Sequence, residues 1–495
     1  MLTACDTEVR DLLVGDFAQG HLIDGRVVGG GDRRPVSRPS DGQRYAEIPY
    51  ADAQVVDRAV DSAGKAFKTS GWATMPPRMR AAILRRWADL VEAKTEPLAR
   101  LECVGSTRPL EDVRTRDIPT SADCLRFFAE FADKLGGDVA ATKSETFGFT
   151  VTEPYGVVAA ISPWNYPLQM ACWKVGPALA AGNAVVLKPS ELTPFTAVML
   201  AQLAIEAGVP PGIFNVVHGD GSAGRRLVTN DLVSKVTFTG SNRTGALITA
   251  ALAETGLKPH TLELGGKSPV IVFEDCYDLE KAAQCVSQGI FNNAGQVCVA
   301  ASRLLVHKSI ADRLVERVIA LARLRRPDRT WSPRCSLSPI INESEAQRIS
   351  RAVDDAIKQG ASVLAGGRML ETSGGSFYEP TVLCDVSDAS HIVREEIFGP
   401  VLTLQVFTHE QEAFDCANSG RYGLNAAIFT SDLGRALRAV RQLESGTVWV
   451  NHYARSADFN LPTGGFKSSG YGKDLGKEVV EQNLRSKSVL IAWDA

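Results

Sequence analysis

The chain has no Cys-x-x-Cys pair. Its ten cysteines, at positions 5, 103, 124, 172, 276, 285, 298, 335, 384 and 416, are scattered, and no histidine stands near them at zinc-ligand spacing. That argues against a disulfide framework and against a metal centre built on these thiols. No apolar stretch reaches the roughly 18 to 20 residues that a membrane-spanning helix needs. Met1-Leu-Thr-Ala-Cys-Asp-Thr-Glu8 lacks the basic region and apolar core of a signal peptide. Together these absences point to a reducing cytoplasm. Charge of one sign is missing too: a net charge of −3 gives no broad field toward nucleic acid or an anionic membrane, and the local run Arg323-Leu-Arg-Arg326 reads as a solvated helix end. No internal repeat or low-complexity segment interrupts the chain.

With 495 residues, 44% hydrophobic and 22% charged, the sequence describes a soluble globular protein too long for one ordinary core. Two or three lobes are expected. The first 50 residues read as loops and short strands. Helical patterning takes over at Asp52–Lys68, Pro77–Ala93, Pro97–Val104 and Ala122–Ala132. The alternating segment Ser144–Thr152 predicts an exposed strand or hairpin that needs a pairing partner. From Val157 the chain alternates apolar runs with helices: strands near Val157–Ile161, Ala184–Leu187, Ile213–Val217, Lys235–Phe238 and Thr261–Leu264, and helices between them. Thr193-Pro194 reads as an N-cap with proline at the first helical position, and Gly182, Gly208 and Gly256 as helix stops. This rhythm predicts a parallel sheet with ligands at the carboxyl ends of its strands. A second alternating set from Val270 predicts a second α/β lobe, and Ser486–Trp493 a terminal strand.

The expected phosphate fingerprint is also lacking. A dinucleotide site usually shows Gly-x-Gly-x-x-Gly after the first strand, but that slot holds Ile161-Ser-Pro-Trp-Asn-Tyr-Pro167. Other strand ends carry chemistry instead. Phe238-Thr-Gly-Ser241 has small residues that let backbone N–H groups approach a phosphate at a helix N-terminus. Lys188-Pro-Ser-Glu191 pairs a cation with a carboxylate; a ribose diol suits the pair, and Glu191 would repel a 2′-phosphate, which favours NAD over NADP. A surface ion pair is the plainer reading of the same spacing. In Thr261-Leu-Glu-Leu-Gly-Gly-Lys267, desolvation at an apolar strand end would draw Glu263 toward the proton affinity of a general base, unless it is simply half of a buried ion pair. Cys298, between Gly295-Gln296 and the β-favouring run Ser302–Val306, heads a loop where a thiolate could meet a ligand. A free cysteine is more often a small buried apolar residue.

Taken together, Pro163-Trp-Asn-Tyr-Pro167, Lys188-Pro-Ser-Glu191, Phe238-Thr-Gly-Ser241, Leu262-Glu-Leu-Gly-Gly-Lys267, Gly295-Gln-Val-Cys298, Glu395-Glu-Ile-Phe-Gly-Pro400 and Gly464-Gly-Phe-Lys-Ser-Ser-Gly470 follow one another in the order found in the NAD(P)-dependent aldehyde dehydrogenase superfamily. The resemblance runs from about Asp24 to the final strand. It implies an α/β fold with a Rossmann-type cofactor domain (residues 1–135 and 155–265), a second α/β catalytic domain (266–465), and a small β oligomerisation element (136–154 and 482–495) that forms a homodimer or homotetramer. It further implies Cys298 as nucleophile on a small-molecule aldehyde, Asn165 and the Cys298 backbone N–H as oxyanion donors, Glu263 as activator of the deacylating water, and Lys174 in proton handling. For NAD, the implied contacts are Lys188 and Glu191 at the adenosine ribose, Trp164 and Ser241 at the pyrophosphate, Glu396 and Phe398 on the nicotinamide side, and Gly221 near the adenine.

Three departures qualify the resemblance. Thr463 stands where many relatives have an aromatic residue, Asp474 where they often have glutamate, and Asn292 where an aromatic is frequent. Tyr166 and Trp173, seven apart and read as one helix face, are the candidate aromatic lining of the substrate tunnel, joined by Asn292, Val297 and Val299 around the nucleophile. Plain core packing is the alternative for the two aromatics. Aliphatic, aromatic and amino aldehydes all stay open as substrates. Segment Ser469–Asp474 is similar to some bacterial aminoaldehyde and betaine-aldehyde enzymes, although Pro119-Thr120 lie where plant aminoaldehyde enzymes carry acidic residues. Two other readings are a CoA-acylating semialdehyde dehydrogenase, against which Glu263 speaks, and a non-catalytic binding or structural descendant.

Overall fold

The computed structural model describes residues 19–372, 374–454 and 458–493. Cys5 and the stretch read for a leader lie outside these residues, as do the last two residues of segment 482–495.

The alternating stretch from Val157 folds as five parallel strands: Val157–Ile161, Ala184–Lys188, Phe214–Val216, Val233–Thr239 and His260–Glu263. Their spatial order is third, second, first, fourth, fifth. Strands His21–Ile23 and Arg26–Val28 extend one edge antiparallel, and Gly470–Tyr471 closes the other. Strands buried on both faces read as continuous apolar runs, and Val157–Ile161 and Ala184–Lys188 are buried at every position. The helix that follows the first strand, Pro167–Ala180, is buried on nearly all sides, and Pro167 opens it without losing a hydrogen bond. Helix Pro77–Ala93 buries only the face bearing Leu84, Trp87 and Val91; the Trp87 indole N–H donates to the Leu200 carbonyl at 3.0 Å, tying it to helix Phe195–Ala207. Gly208 and Gly256 end their helices in the left-handed conformation.

Two helix starts differ from the expected ones, each beside a proline. Pro194, not Thr193, occupies the cap position of its helix. The helix expected from Ala122 begins at Ile118, because Pro119 sits in its first turn, where its missing N–H costs nothing. The lead-in contains a hairpin, Arg33–Ser37 with Arg44–Pro49. The helix before the run Arg323-Leu-Arg-Arg326 ends at Arg323, and Arg325 is half-buried rather than solvated.

A second sheet has the order Ser362–Ala365, Thr381–Cys384, Val401–Phe407, Arg303–His307, Pro269–Val272, Asn425–Phe429, Thr447–Val450, parallel except at the first pair. Its central strands bury alternate residues into two separate cores, one with Val270, Leu304 and Ala427, the other with Ile271, Leu305 and Ile428. The strand expected near Ser144–Thr152 runs from Thr146 to Pro154 and pairs antiparallel along its whole length with Leu484–Ala492, while Val139–Ala140 adds a short third strand. Phe147, Leu490, Ile491 and Trp493 are exposed on this small sheet.

The two large sheets meet end to end. Segment Leu264–Ser268 leaves the carboxyl end of His260–Glu263 and enters the amino end of Pro269–Val272. The loops that open the second sheet's strands therefore face the loops that close the first sheet's strands. That seam holds the site.

Candidate active site

A cavity of about 950 Å³ occupies the seam. Trp164, Asn165 and Tyr166 reach it from the end of the first parallel strand, Glu191 from the second, Ser241 from the fourth and Glu263 from the fifth; Val297, Cys298, Val299, Glu396 and Phe398 come from loops of the second sheet. In a doubly wound sheet, ligands collect beyond the carboxyl ends of the strands where the strand order reverses, and the first and fourth strands are neighbours at that point here.

The loop bearing Cys298 is held by unusual backbone geometry. Asn293, Ala294 and Gly295 have φ of 49°, 49° and 70°, three successive left-handed residues. A side chain on Gly295 would run into the Gly399 carbonyl, with a Cβ–O separation of 2.1 Å. Gln296, fully buried, fastens the loop: its amide N–H groups donate to the carbonyls of Asn293 and Pro339, both at 2.9 Å, and its side-chain oxygen accepts from the Ile341 N–H at 2.9 Å. The Asn293 side chain accepts from Thr107 Oγ1 at 2.6 Å and donates to the Asn165 carbonyl at 3.1 Å. Asn165 in turn donates one side-chain N–H to the Gln296 carbonyl at 2.9 Å. Nucleophile loop and amide are thus locked to each other. Beneath them, Gly266 has to lack a side chain, since a Cβ there would stand 2.5 Å from the Cys298 carbonyl oxygen.

Glu263 is buried at its strand end, against Gly464: a Cβ on that glycine would be 2.9 Å from Glu263 Oε1. Lys174 is fully buried and pairs with Asp474 at 2.7 and 3.0 Å; Asp474, not Lys174, lines the cavity. Two of the departures meet here, because Thr463 and Asp474 exchange backbone hydrogen bonds at 2.7 and 2.8 Å.

On the other side of the cavity, Glu396 accepts from the Gly266 N–H at 3.0 Å, and burial pushes its carboxyl up to about 7. A Cβ on Gly265 would fall 2.3 Å from Glu396 Oε2, so the bare backbone is what seats this carboxylate. Phe398, left-handed at φ 51°, packs edge-on to Trp164 with centroids 5.4 Å apart. Ser241 caps helix Asn242–Thr255 by accepting from the Thr244 N–H. Lys188 does not line the cavity: its ammonium donates to the Pro189 and Gly219 carbonyls and lies 3.5 Å from Glu191, and burial lowers its proton affinity. Gly221, the first residue of helix Gly221–Thr229, also stands away from the cavity.

Tyr166 and Trp173 both line the cavity, but they do not share one helix face: Tyr166 is the residue before helix Pro167–Ala180, with a non-helical φ of −141° and ψ of 71°. Its hydroxyl accepts from the Asn292 amide at 3.3 Å. Spacing missed several wall residues. Phe459 and Tyr453 lie in an aperiodic stretch that carries no strand or helix signal, and Arg108 and Asp117, a buried bidentate pair at 2.7 and 3.0 Å, lie between the helices expected at Pro97–Val104 and Ala122–Ala132, where the sequence carries no periodic signal. Gln296 stands within Gly295-Gln-Val-Cys298, but its ties to Asn293, Pro339 and Ile341 are not encoded in that spacing.

The model of the aldehyde dehydrogenase family matches residues 28–489. A betaine aldehyde dehydrogenase of Cereibacter sphaeroides is 41% identical over 476 residues, covering 96% of this chain and 97% of that protein. Among solved structures, an indole-3-acetaldehyde dehydrogenase in complex with NAD+ superposes with a TM-score of 0.96 at 39% identity, covering 98% of each chain. A γ-glutamyl-γ-aminobutyraldehyde dehydrogenase of Burkholderia cenocepacia J2315 does so at 0.95 and 42% identity, covering 98% of this chain and 99% of that one. Motif order, sheet topology and likeness along nearly the whole length agree: the chain belongs to the aldehyde dehydrogenase family.

Proposed function

We propose that the protein oxidises an aldehyde to a carboxylic acid through a thiohemiacetal and then a thioester on Cys298, using NAD. The observation that carries this reading is the interlock of Asn165 with the Cys298 loop. One N–H of the Asn165 amide is spent on the Gln296 carbonyl, which fixes the amide plane and leaves its second N–H for an oxyanion formed at the thiol. Sulfur suits both halves of the reaction, since a thiolate attacks a carbonyl readily and leaves an acyl group readily. Glu263, in the same cavity, takes a proton from the water that cleaves the thioester. Asp474, neutralised by Lys174, is a shorter-reaching second acid–base group at the cavity floor.

The residues present fit NAD. Glu396 offers carboxylate oxygens to ribose hydroxyls, the turn Thr239–Ser241 opens a helix N-terminus toward phosphate, and Glu191, about a third exposed, disfavours a 2′-phosphate and hence NADP. Lys188 serves that ribose end by holding the Gly219 turn and Glu191, and Gly221 begins the helix at the adenine end. When bound, the cofactor takes up the hydride released as the tetrahedral adduct collapses. Tyr166, Trp173, Phe459, Asn292, Val297 and Val299 form the wall for the aldehyde's tail, whether aliphatic, aromatic or amino.

The exposed apolar side chains of the small sheet Thr146–Pro154/Leu484–Ala492 support a homodimer or homotetramer built on that sheet. None of the nine described cysteines is in a disulfide, which accords with a cytoplasmic location. No described helix is long and apolar enough to cross a membrane. Replacing Cys298 by Ala tests the central assignment. NADH formation should vanish while NAD binding survives; full turnover in Cys298→Ala would refute the role.

A further inference from the structure

Under the nucleophile loop lies a group of polar side chains that the reaction does not use. Pro269 pairs with Arg303 and Val270 with Ala427, so Ser268, one residue earlier, stands beside Ser302 on one side and Asn425 on the other. Side chains in lateral register share a sheet face. Two residues further along, the same three strands place Val270, Leu304 and Ala427 in the core under helix Leu279–Phe291. Ser268 is 2% exposed, Ser302 8% and Asn425 1%. Both hydroxyls and both ends of the Asn425 amide are sealed from solvent, and none makes a well-formed hydrogen bond to another protein group. Ser268 stands beside the Tyr453 hydroxyl, outside good geometry, while that hydroxyl donates to the Val299 carbonyl at 2.6 Å.

Buried polar groups in native proteins are hydrogen-bonded, and where protein supplies no partner an ordered water does, making about three hydrogen bonds of its own. Two hydroxyls, an amide N–H₂ and an amide carbonyl on adjacent strands match that requirement. We propose that Ser268, Ser302 and Asn425 bind internal water, and that this hydrated seat, with the Tyr453 hydroxyl, positions the Cys298 loop. The loop is gripped at two successive carbonyls, that of the nucleophile and that of the next residue. The Cys298 carbonyl rests on Gly266, two residues before Ser268, and the Val299 carbonyl is held by Tyr453. The Tyr453 ring is fixed by close packing on Gly289, where a Cβ would stand 2.8 Å away, and by Trp449 edge-on at 4.8 Å. Tyr453 is thus a positioning residue: it acts on the nucleophile through Val299.

The inference rests on Cys298 as nucleophile, and its tests separate from that reading. A crystal structure at high resolution should show water within about 3 Å of the Asn425 amide and of a serine hydroxyl; direct Ser–Asn hydrogen bonds with no water overturn the hydration site. In an enzyme whose Cys298→Ala variant is inactive, Tyr453→Phe keeps the ring and removes only the grip. It should lower kcat about tenfold and slow iodoacetamide alkylation of Cys298 by a similar factor, with KM for aldehyde and Kd for NAD within about twofold. Asn425→Leu, which fills the seat with apolar volume, should give the same split between kcat and KM. Unchanged kcat and alkylation in a folded Tyr453→Phe protein, or a loss confined to KM, overturns the positioning role. Turnover in Cys298→Ala would instead sink the nucleophile assignment itself.

Discussion

The Arg108 guanidinium lies 4.4 Å over the ring of Tyr166 and is held by a buried bidentate ion pair to Asp117, with the partly exposed Asp112 carboxylate 3.8 Å away. One π-face of this wall aromatic is therefore already occupied by a cation, and the nearby carboxylate is already spent. At the same end of the cavity, Arg116 adds a second guanidinium, paired with Asp112 at 3.0 Å.

Charge selection follows from that arrangement. Trimethylammonio-acetaldehyde and 3,3-dimethylbutanal have the same shape and differ by one positive charge. The neutral compound should be the better substrate, with kcat/KM higher by about tenfold, a factor in the range of a cation–π contribution. Steady-state rates of NADH formation on the pair decide the matter; preference for the cation would show that Arg108 does not set the field at Tyr166.

Deacylation gives a second prediction. With Glu263→Gln, the first half-reaction should proceed and the thioester should accumulate. A rapid-mixing trace should show one equivalent of NADH per active site, followed by steady turnover slowed about 10² to 10⁴-fold, the usual worth of a general base. Undiminished steady turnover would remove Glu263 from the mechanism.

Cofactor affinity should depend on pH. Burial raises Glu396 to about 7, so below that pH it is protonated and accepts ribose hydroxyls poorly; above it, the carboxylate is available. NAD should bind about tenfold tighter at pH 8 than at pH 6, in line with a hydrogen bond to a charged group. Lys267, lowered by burial to about 7, loses its proton in the same window, which weakens a favourable neighbour of Glu396 and works against the trend. Calorimetric titration of the wild type and Glu396→Gln separates the two, because the variant should lose the rise with pH.

Assembly is tested by sedimentation. The exposed side chains Phe147, Leu490 and Ile491 should be covered in a dimer or tetramer, so the double variant Leu490→Asp, Ile491→Asp should sediment as a smaller species than the wild type. A wild-type protein that is monomeric at micromolar concentration would overturn the assignment of this sheet.

Much of the site was readable because it sits at strand ends. The runs Val157–Ile161 and Ala184–Lys188 are short and almost continuously apolar, and whatever follows such a strand in a parallel sheet faces the ligand side. Lys188 shows where that reasoning stops: position along the chain put it at a strand end, but the direction of its ammonium was set by the carbonyls of Pro189 and Gly219, which spacing does not encode. Tyr453, Phe459 and Arg108 escaped notice for a related reason. They reach the cavity across sequence separations of more than fifty residues, from segments without periodic pattern, and nothing local distinguishes them from packing residues.

The three left-handed residues before the nucleophile bear on how the enzyme can be altered. Cys298 is aimed by the handedness of Asn293, Ala294 and Gly295 rather than by the sheet that follows, so the thiol's bearing is a property of loop length. Deleting or inserting a single residue between Phe291 and Arg303 would turn the sulfur away from the cavity even with every side chain of the site retained. Substrate range is therefore open to redesign along the walls, one side chain at a time, but closed to redesign by grafting a loop of another length.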